Sequence, residues 1–259
     1  MKKIVLLLFL TMGVKSVFAE CAMSGMEFFP KQKEISLNSM FIIQGYAMSE
    51  KTIVTFKDRL IYLESENGDL IKLDLQEILI GQMSLTQAVF KPSVELKPNT
   101  IYFLKYADQT KRETREMAVY NREKEKNEKI YWKTTSKKFI GPLDFKLKIS
   151  YEKSEVVHYG CGPSVNAIFK IKDTSKSEVW YKTEVVDLTT NQKTSFYEME
   201  SKGKLHVGHG MCAGGFTFNG KGKYKVRFTP MNADGETLKT TGWKTFDSPY
   251  VNDKMSFGF

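Results

Sequence analysis

The sequence predicts an all-β protein of two domains behind a cleavable export signal. Short runs of branched and aromatic residues alternate with polar ones along most of the chain. The length of 259 residues exceeds the ~100–200 residues typical of one domain. Residues 1–19 have the layout of a signal peptide. With 41% hydrophobic and 27% charged residues the chain is neither disordered nor fibrous.

In the signal, Lys2 and Lys3 precede the apolar run Ile4 to Leu10, and Val17-Phe18-Ala19 supplies a cleavage site. Thr11, Gly13 and Lys15 interrupt the run, so it is too short for a membrane anchor. Glu20, just before Cys21, occupies a position where a lipid-modification signal needs a small residue, so cleavage after Ala19 without a lipid is expected. The segment carries three lysines and no acid, so its loss takes the formal charge from +9 to +6. So mild a basic excess is no sign of nucleic-acid binding. No later stretch is long and apolar enough to span a membrane.

Strands are expected at Thr52–Phe56, Leu60–Leu63, Leu70–Leu75, Ile101–Tyr106, Phe145–Ile149, Ala167–Ile171 and Tyr224–Phe228. Turn residues separate them at Glu66–Asp69, Lys97–Thr100 and Asn232–Gly235. This spacing favours sandwiches over βαβ units. Two short helices are expected, around Leu75–Met83 and Thr114–Lys126. Phe28-Phe29-Pro30 reads as core packing of an N-terminal strand, with an exposed aromatic patch as the alternative. The stretch Lys111–Lys138, ten basic residues interleaved with five glutamates, reads as a solvated hairpin between two strands; contact with an anionic envelope surface is the sharper alternative.

The two halves close alike. Leu96-Lys97-Pro98-Asn99-Thr100-Ile101-Tyr102 is followed by Ile130-Tyr131-Trp132-Lys133-Thr134, and Gly222 to Phe228 with Tyr224 is followed by Gly242-Trp243-Lys244-Thr245-Phe246. This pattern resembles the last two strands of fibronectin type III and bacterial immunoglobulin-like domains, where a tyrosine corner leads the penultimate strand. The resemblance implies tandem β-sandwiches over residues 20–138 and 142–250, with Gly141-Pro142 as linker. It leaves function open, because the fold hosts adhesins, chaperones and receptors alike.

The second half also gathers unusual chemistry. His158, Cys161, His206, His209 and Cys212 lie in two glycine-rich stretches, His158-Tyr159-Gly160-Cys161 and His206-Val207-Gly208-His209-Gly210-Met211-Cys212. In an oxidising compartment a Cys161–Cys212 disulfide is expected, closing about 50 residues and stabilising by roughly 4 kcal/mol in the chain-entropy model. Trp180 lies between the two cysteines, as a tryptophan does in antibody domains. Cys21 is then odd, which suggests a free thiol or a disulfide-linked dimer. The alternative is a zinc or copper site built from the same five residues, since thiolate and imidazole suit those ions. His209-Gly210-Met211-Cys212 is also similar to the His-Gly-Cys segment of L,D-transpeptidases, but Ala213, Gly214, Gly215 and Phe216 stand where that family has arginine and asparagine. No Gly-x-Ser-x-Gly, His-Glu-x-x-His or phosphate-binding glycine loop is present.

The expectation is therefore an exported, periplasmic or extracellular, non-enzymatic binding or structural module of a bacterial cell envelope. Its partner would be an envelope protein or glycan, and it would need no cofactor. The alternative is a periplasmic zinc- or copper-binding protein.

Overall fold

Residues 24–121, 125–175 and 177–253 are described by a computed structural model. Residues 1–19, read above as an export signal, and Cys21 lie outside them.

The first half contains ten strands: β1 (Gly25–Phe29), β2 (Glu34–Ile35), β3 (Phe41–Tyr46), β4 (Ile61–Ser65), β5 (Leu70–Ile80), β6 (Leu85–Pro92), β7 (Ile101–Tyr106), β8 (Ala118–Asn121), β9 (Lys126–Lys129) and β10 (Tyr131–Thr134). Eight form one sheet in the order β1-β3-β6-β5-β4-β7-β10-β2, antiparallel except for β2 beside β10. Each of the eight sends a side chain into a single core: Phe28, Phe41, Phe90, Leu73, Leu63, Leu104, Trp132 and Ile35. One sheet enclosing one core on one face must curl around it. The sandwich expected here is thus a single coiled sheet. Its continuity depends on β5, eleven residues long, which pairs with both β4 and β6 and bends at a bulge between Leu75 and Glu77.

That bulge also accounts for the helix expected at Leu75–Met83. It places Leu75 and Ile78 together on the core side, opposite Phe90 and Ala88, and this imitates a helical spacing within a strand. The reverse occurs at α1 (Glu50–Thr55), where a strand was expected. Ile53 and Phe56, three residues apart, are both buried, so burial overrides the β-branched composition. The second helix, α2 (Lys111–Glu116), starts earlier than expected, at a capping box: Glu113 N–H donates to Thr110 Oγ1 and Thr110 N–H to Glu113 Oε2. The chain then forms the β8–β9 hairpin, so the basic stretch is a helix and hairpin between β7 and β10.

The second half has seven strands: β11 (Lys148–Tyr159), β12 (Gly162–Lys172), β13 (Val179–Asp187), β14 (Lys193–Met199), β15 (Lys204–His209), β16 (Lys223–Asn232) and β17 (Lys244–Asp247). The sheet β11-β12-β15 faces the sheet β14-β13-β16-β17. Between them lie Phe169, Val207 and Leu205 from the first sheet and Tyr181, Phe196, Val226, Phe228 and Phe246 from the second.

Tyrosines mark the same corner in both halves. Lys97 N–H donates to Tyr102 Oη at 2.9 Å, and Asn219 N–H donates to Tyr224 Oη at 2.6 Å. The two Trp-Lys-Thr segments differ. Trp132 is buried and donates from Nε1 to Pro30 O at 2.8 Å, whereas Trp243 lies outside beneath Arg227 and Lys225.

The halves meet through a third apolar cluster, Phe29, Ile42 and Val89 against Trp180, Tyr197 and Met231. Trp180 thus faces the first half instead of the core between its own sheets. Inside this layer Gln87, fully buried, accepts from Tyr197 N–H at 2.9 Å and donates to Tyr197 O at 2.8 Å, taking the place of a strand beside β14. Lys182 reaches both oxygens of Glu77 at 2.8 and 2.7 Å. Asp234, in the β16–β17 turn, accepts from Ser36 Oγ at 2.5 Å and Ile140 N–H at 2.8 Å.

Candidate functional site

The five residues expected to form a disulfide or a metal site are placed apart in role. His158, near the end of β11, sets Nε2 2.8 Å from Asp253 Oδ2 and so ties the last turn, Pro249–Asn252, to that strand. His206 is exposed on β15, while its neighbours Leu205 and Val207 enter the core. His209 is buried, with Nδ1 2.8 Å from its neighbour's carbonyl, Gly210 O. Cys161, in the β11–β12 turn, is a free, exposed thiol, and Cys212 is held in a disulfide. The expected Cys161–Cys212 bridge therefore does not form: the hairpin turn carries Cys161 out to solvent. Among the described residues no three His, Cys, Asp or Glu side chains come close enough to hold a metal ion.

The glycine-rich loop after β15 serves as a joint. Met83 N–H donates to Gly214 O at 3.1 Å, Gly214 N–H donates to Met83 O at 2.8 Å, and Gln82 N–H donates to Gly215 O at 3.1 Å. The β5–β6 turn is thereby fastened to the second half. Only glycine fits: a Cβ on Gly214 would stand 2.2 Å from His209 Cβ, and one on Gly208 would stand 2.0 Å from Val165 O.

A cleft of about 700 Å³ opens beside this interface, between β1 of the first half and the β13–β14 side of the second. Its described walls carry five carboxyl groups, Glu27, Asp173, Glu178, Glu198 and Glu200, against one ammonium, Lys31. Most are already engaged. Glu178 accepts from Lys31 N–H at 2.6 Å, Gln32 N–H at 3.1 Å and Trp180 Nε1 at 2.8 Å, which pins the segment after β1 to the second half. Asp173 accepts from Ser175 N–H at 2.8 Å and Ser175 Oγ at 2.6 Å, and Glu200 accepts from Gly203 N–H. Lys31 lies 3.3 Å from Glu27.

Glu198 differs from the other four. It is the penultimate residue of β14, half-buried with its carboxyl at the enclosed end, and burial pushes that carboxyl up to about 8. Burial also pushes the neighbouring Tyr181 and Tyr197 hydroxyls far above the usual tyrosine range. The arrangement is therefore a polar cavity in which the Glu198 carboxyl keeps its proton below about pH 8. Sequence reasoning missed this site, because its acids are scattered from residue 27 to residue 200 and nothing in the chain's many carboxylates tells which will meet. The one local signal is the Glu198-Met199-Glu200 spacing at the end of a strand.

No family model matches the chain, and no curated protein matches it. Two solved structures of low similarity are a pullulanase of Anoxybacillus sp. LM18-11 complexed with maltotriose and the adhesin InvE of Yersinia pseudotuberculosis. The first is 6% identical with a TM-score of 0.24, over 82% of this chain and 24% of the pullulanase chain. The second is 14% identical with a TM-score of 0.21, over 86% of this chain and 58% of the adhesin chain. The chain thus spans about a quarter of one and under two thirds of the other, and at such scores its fold and its site rest on its own geometry.

Proposed function

We propose that this protein is an exported, non-enzymatic binding module of a Gram-negative-like cell envelope, and that it holds its partner, an envelope protein or glycan, in the cleft between its halves. The observation that carries the reading is the joint beside that cleft. An apolar layer, the Gln87 amide, the Glu178 carboxylate and the glycine loop fix the two units around an open polar cavity. A cavity whose walls are already locked loses little freedom when it is filled, and that favours recognition.

Residues 1–19 support export. The order of the second half, three strands β11-β12-β15 against four strands β14-β13-β16-β17, with Tyr224 at the corner, supports a fibronectin type III-like domain there. Such domains serve as binding and spacer modules in many exported proteins.

A photo-activated cross-linker at Ser201, on the cleft rim, tests the proposal against one at Lys57, beyond α1, with envelope material as the target. The expected result is a discrete adduct from Ser201 and none from Lys57. Equal yields from both positions, or no adduct from either, would overturn it.

A further inference from the structure

The charge on the cleft walls selects what it can hold. Five carboxyls face one ammonium among the described lining residues, and that ammonium is already beside Glu27. The acids stand around the cavity instead of converging, and no three of them are close enough for a metal ion. They are arranged for a ligand that carries positive charge over some length.

A second observation points the same way. Ser177, only 8% exposed, lines the cleft with a hydroxyl that has no partner among the described residues. A buried hydroxyl left unpaired is costly unless a ligand completes it. The Phe29 ring at the wall already attracts a cation, with Lys31 Nζ 4.3 Å from its centre.

Resting on the binding-module reading, we propose that the cleft takes an organic cation, an ammonium or guanidinium group on an apolar stem, supplied by a partner's lysine or arginine side chains or by a free polyamine. The cation would lie among Glu198, Glu200 and Ser177, with its stem against the half-buried Met199.

This occupancy couples to a proton. Sharing the cleft with Glu198 are Asp173 and Glu178 from the segment before β13, Tyr181 from β13, Glu200 beyond β14, and Glu27 and Lys31 from the first half. In the empty cleft burial keeps the Glu198 carboxyl protonated below about pH 8. A bound cation stabilises the carboxylate, so binding releases that proton and tightens as the pH rises toward 8.

The test is calorimetric titration of the full chain at low salt and at pH 6.5 and 8.5. The probes are an acetylated, amidated tetra-arginine peptide, agmatine as the small free cation, and tetraglutamate as control. The expected result is saturable binding of the peptide, of agmatine or of both, about tenfold tighter at pH 8.5 than at pH 6.5. Tetraglutamate should give no heat of binding. Peptide binding alone would assign a polypeptide partner, and agmatine binding as tightly as the peptide would assign a small cation. Glu198→Gln should bind with no such pH dependence, and Glu200→Gln should bind more weakly at both pH values.

Failure of both cations to bind would overturn the inference, as would tetraglutamate binding equally well or Glu198→Gln keeping the pH dependence. A Ser201 adduct together with silent cations would sink the cationic ligand while leaving the binding-module reading in place.

Discussion

Glu198 and Glu113 are both enclosed carboxyls, and what stands opposite each decides its sign. Around Glu113 burial alone would raise the pKa, but hydrogen bonds from Arg59 at 2.6 and 3.2 Å and from Thr110 outweigh it and hold the carboxyl below the usual range. Its stabilisation is complete above the unfolded value of about 4.3 and is lost as the pH falls through the lower folded value. For Glu198 burial stands unopposed. Between pH ~4.3 and about 8 the folded chain keeps a proton that the unfolded chain has released, so this group's contribution to stability declines as the pH climbs through that window. Glu198→Gln is therefore expected to raise stability at pH 8 by about 1–3 kcal/mol, after discounting for a half-buried side chain, and to change it little at pH 4. Urea denaturation at the two pH values checks this, and equal effects at both would refute it.

At the scale of the element, the glycine loop after β15 yields a direct comparison. Gly214→Ala would force a methyl into His209 and the Gly208 carbonyl, at 2.2 and 2.6 Å, and is expected to cost about 2–4 kcal/mol. Gly220→Ala, with nothing within 4 Å of the new atom, should stay within about 0.5 kcal/mol of the parent. Equal losses in thermal melts would show that the loop is not a fitted joint. This same loop marks where sequence reading reached its limit. Its glycines, histidines and cysteine were legible as unusual, yet their job is set by the β5–β6 turn, more than a hundred residues away in the chain. Local pattern carried most of the strands, as at Ile101–Tyr106 and Tyr224–Phe228, because alternation and burial agree there. It misled wherever a long-range contact set the phase: the bulge in β5 imitated a helix, and the burial of Ile53 and Phe56 wound a β-branched run into one. The acidic cleft was illegible for the same reason, since Glu27 and Glu198 become neighbours only after two separately built units dock.

For the molecule as a whole, the depth of that docking predicts how it unfolds. Trp180, fully buried between the halves, lies in one apolar layer with Phe29, Ile42 and Val89. Neither half can loosen without exposing this layer, so calorimetry is expected to show a single transition with matching calorimetric and van't Hoff enthalpies. Trp180→Ala should cost about 3–5 kcal/mol and begin to separate the melting of the two halves. Two resolved transitions in the unaltered chain would mean that the layer does not couple them.

Gln87 gives this union a further consequence. Its amide stands where another strand would add to β14, meeting the N–H and the carbonyl of Tyr197 with one side chain. An open strand edge is a template for self-association, and this one is flanked by Trp180 and Met231. Parted from its companion, the second half would present that edge to every copy of itself. In the intact chain the first half acts as a permanent intramolecular chaperone for that edge, so cutting the chain near Gly141 should produce aggregates before it produces a stable second half.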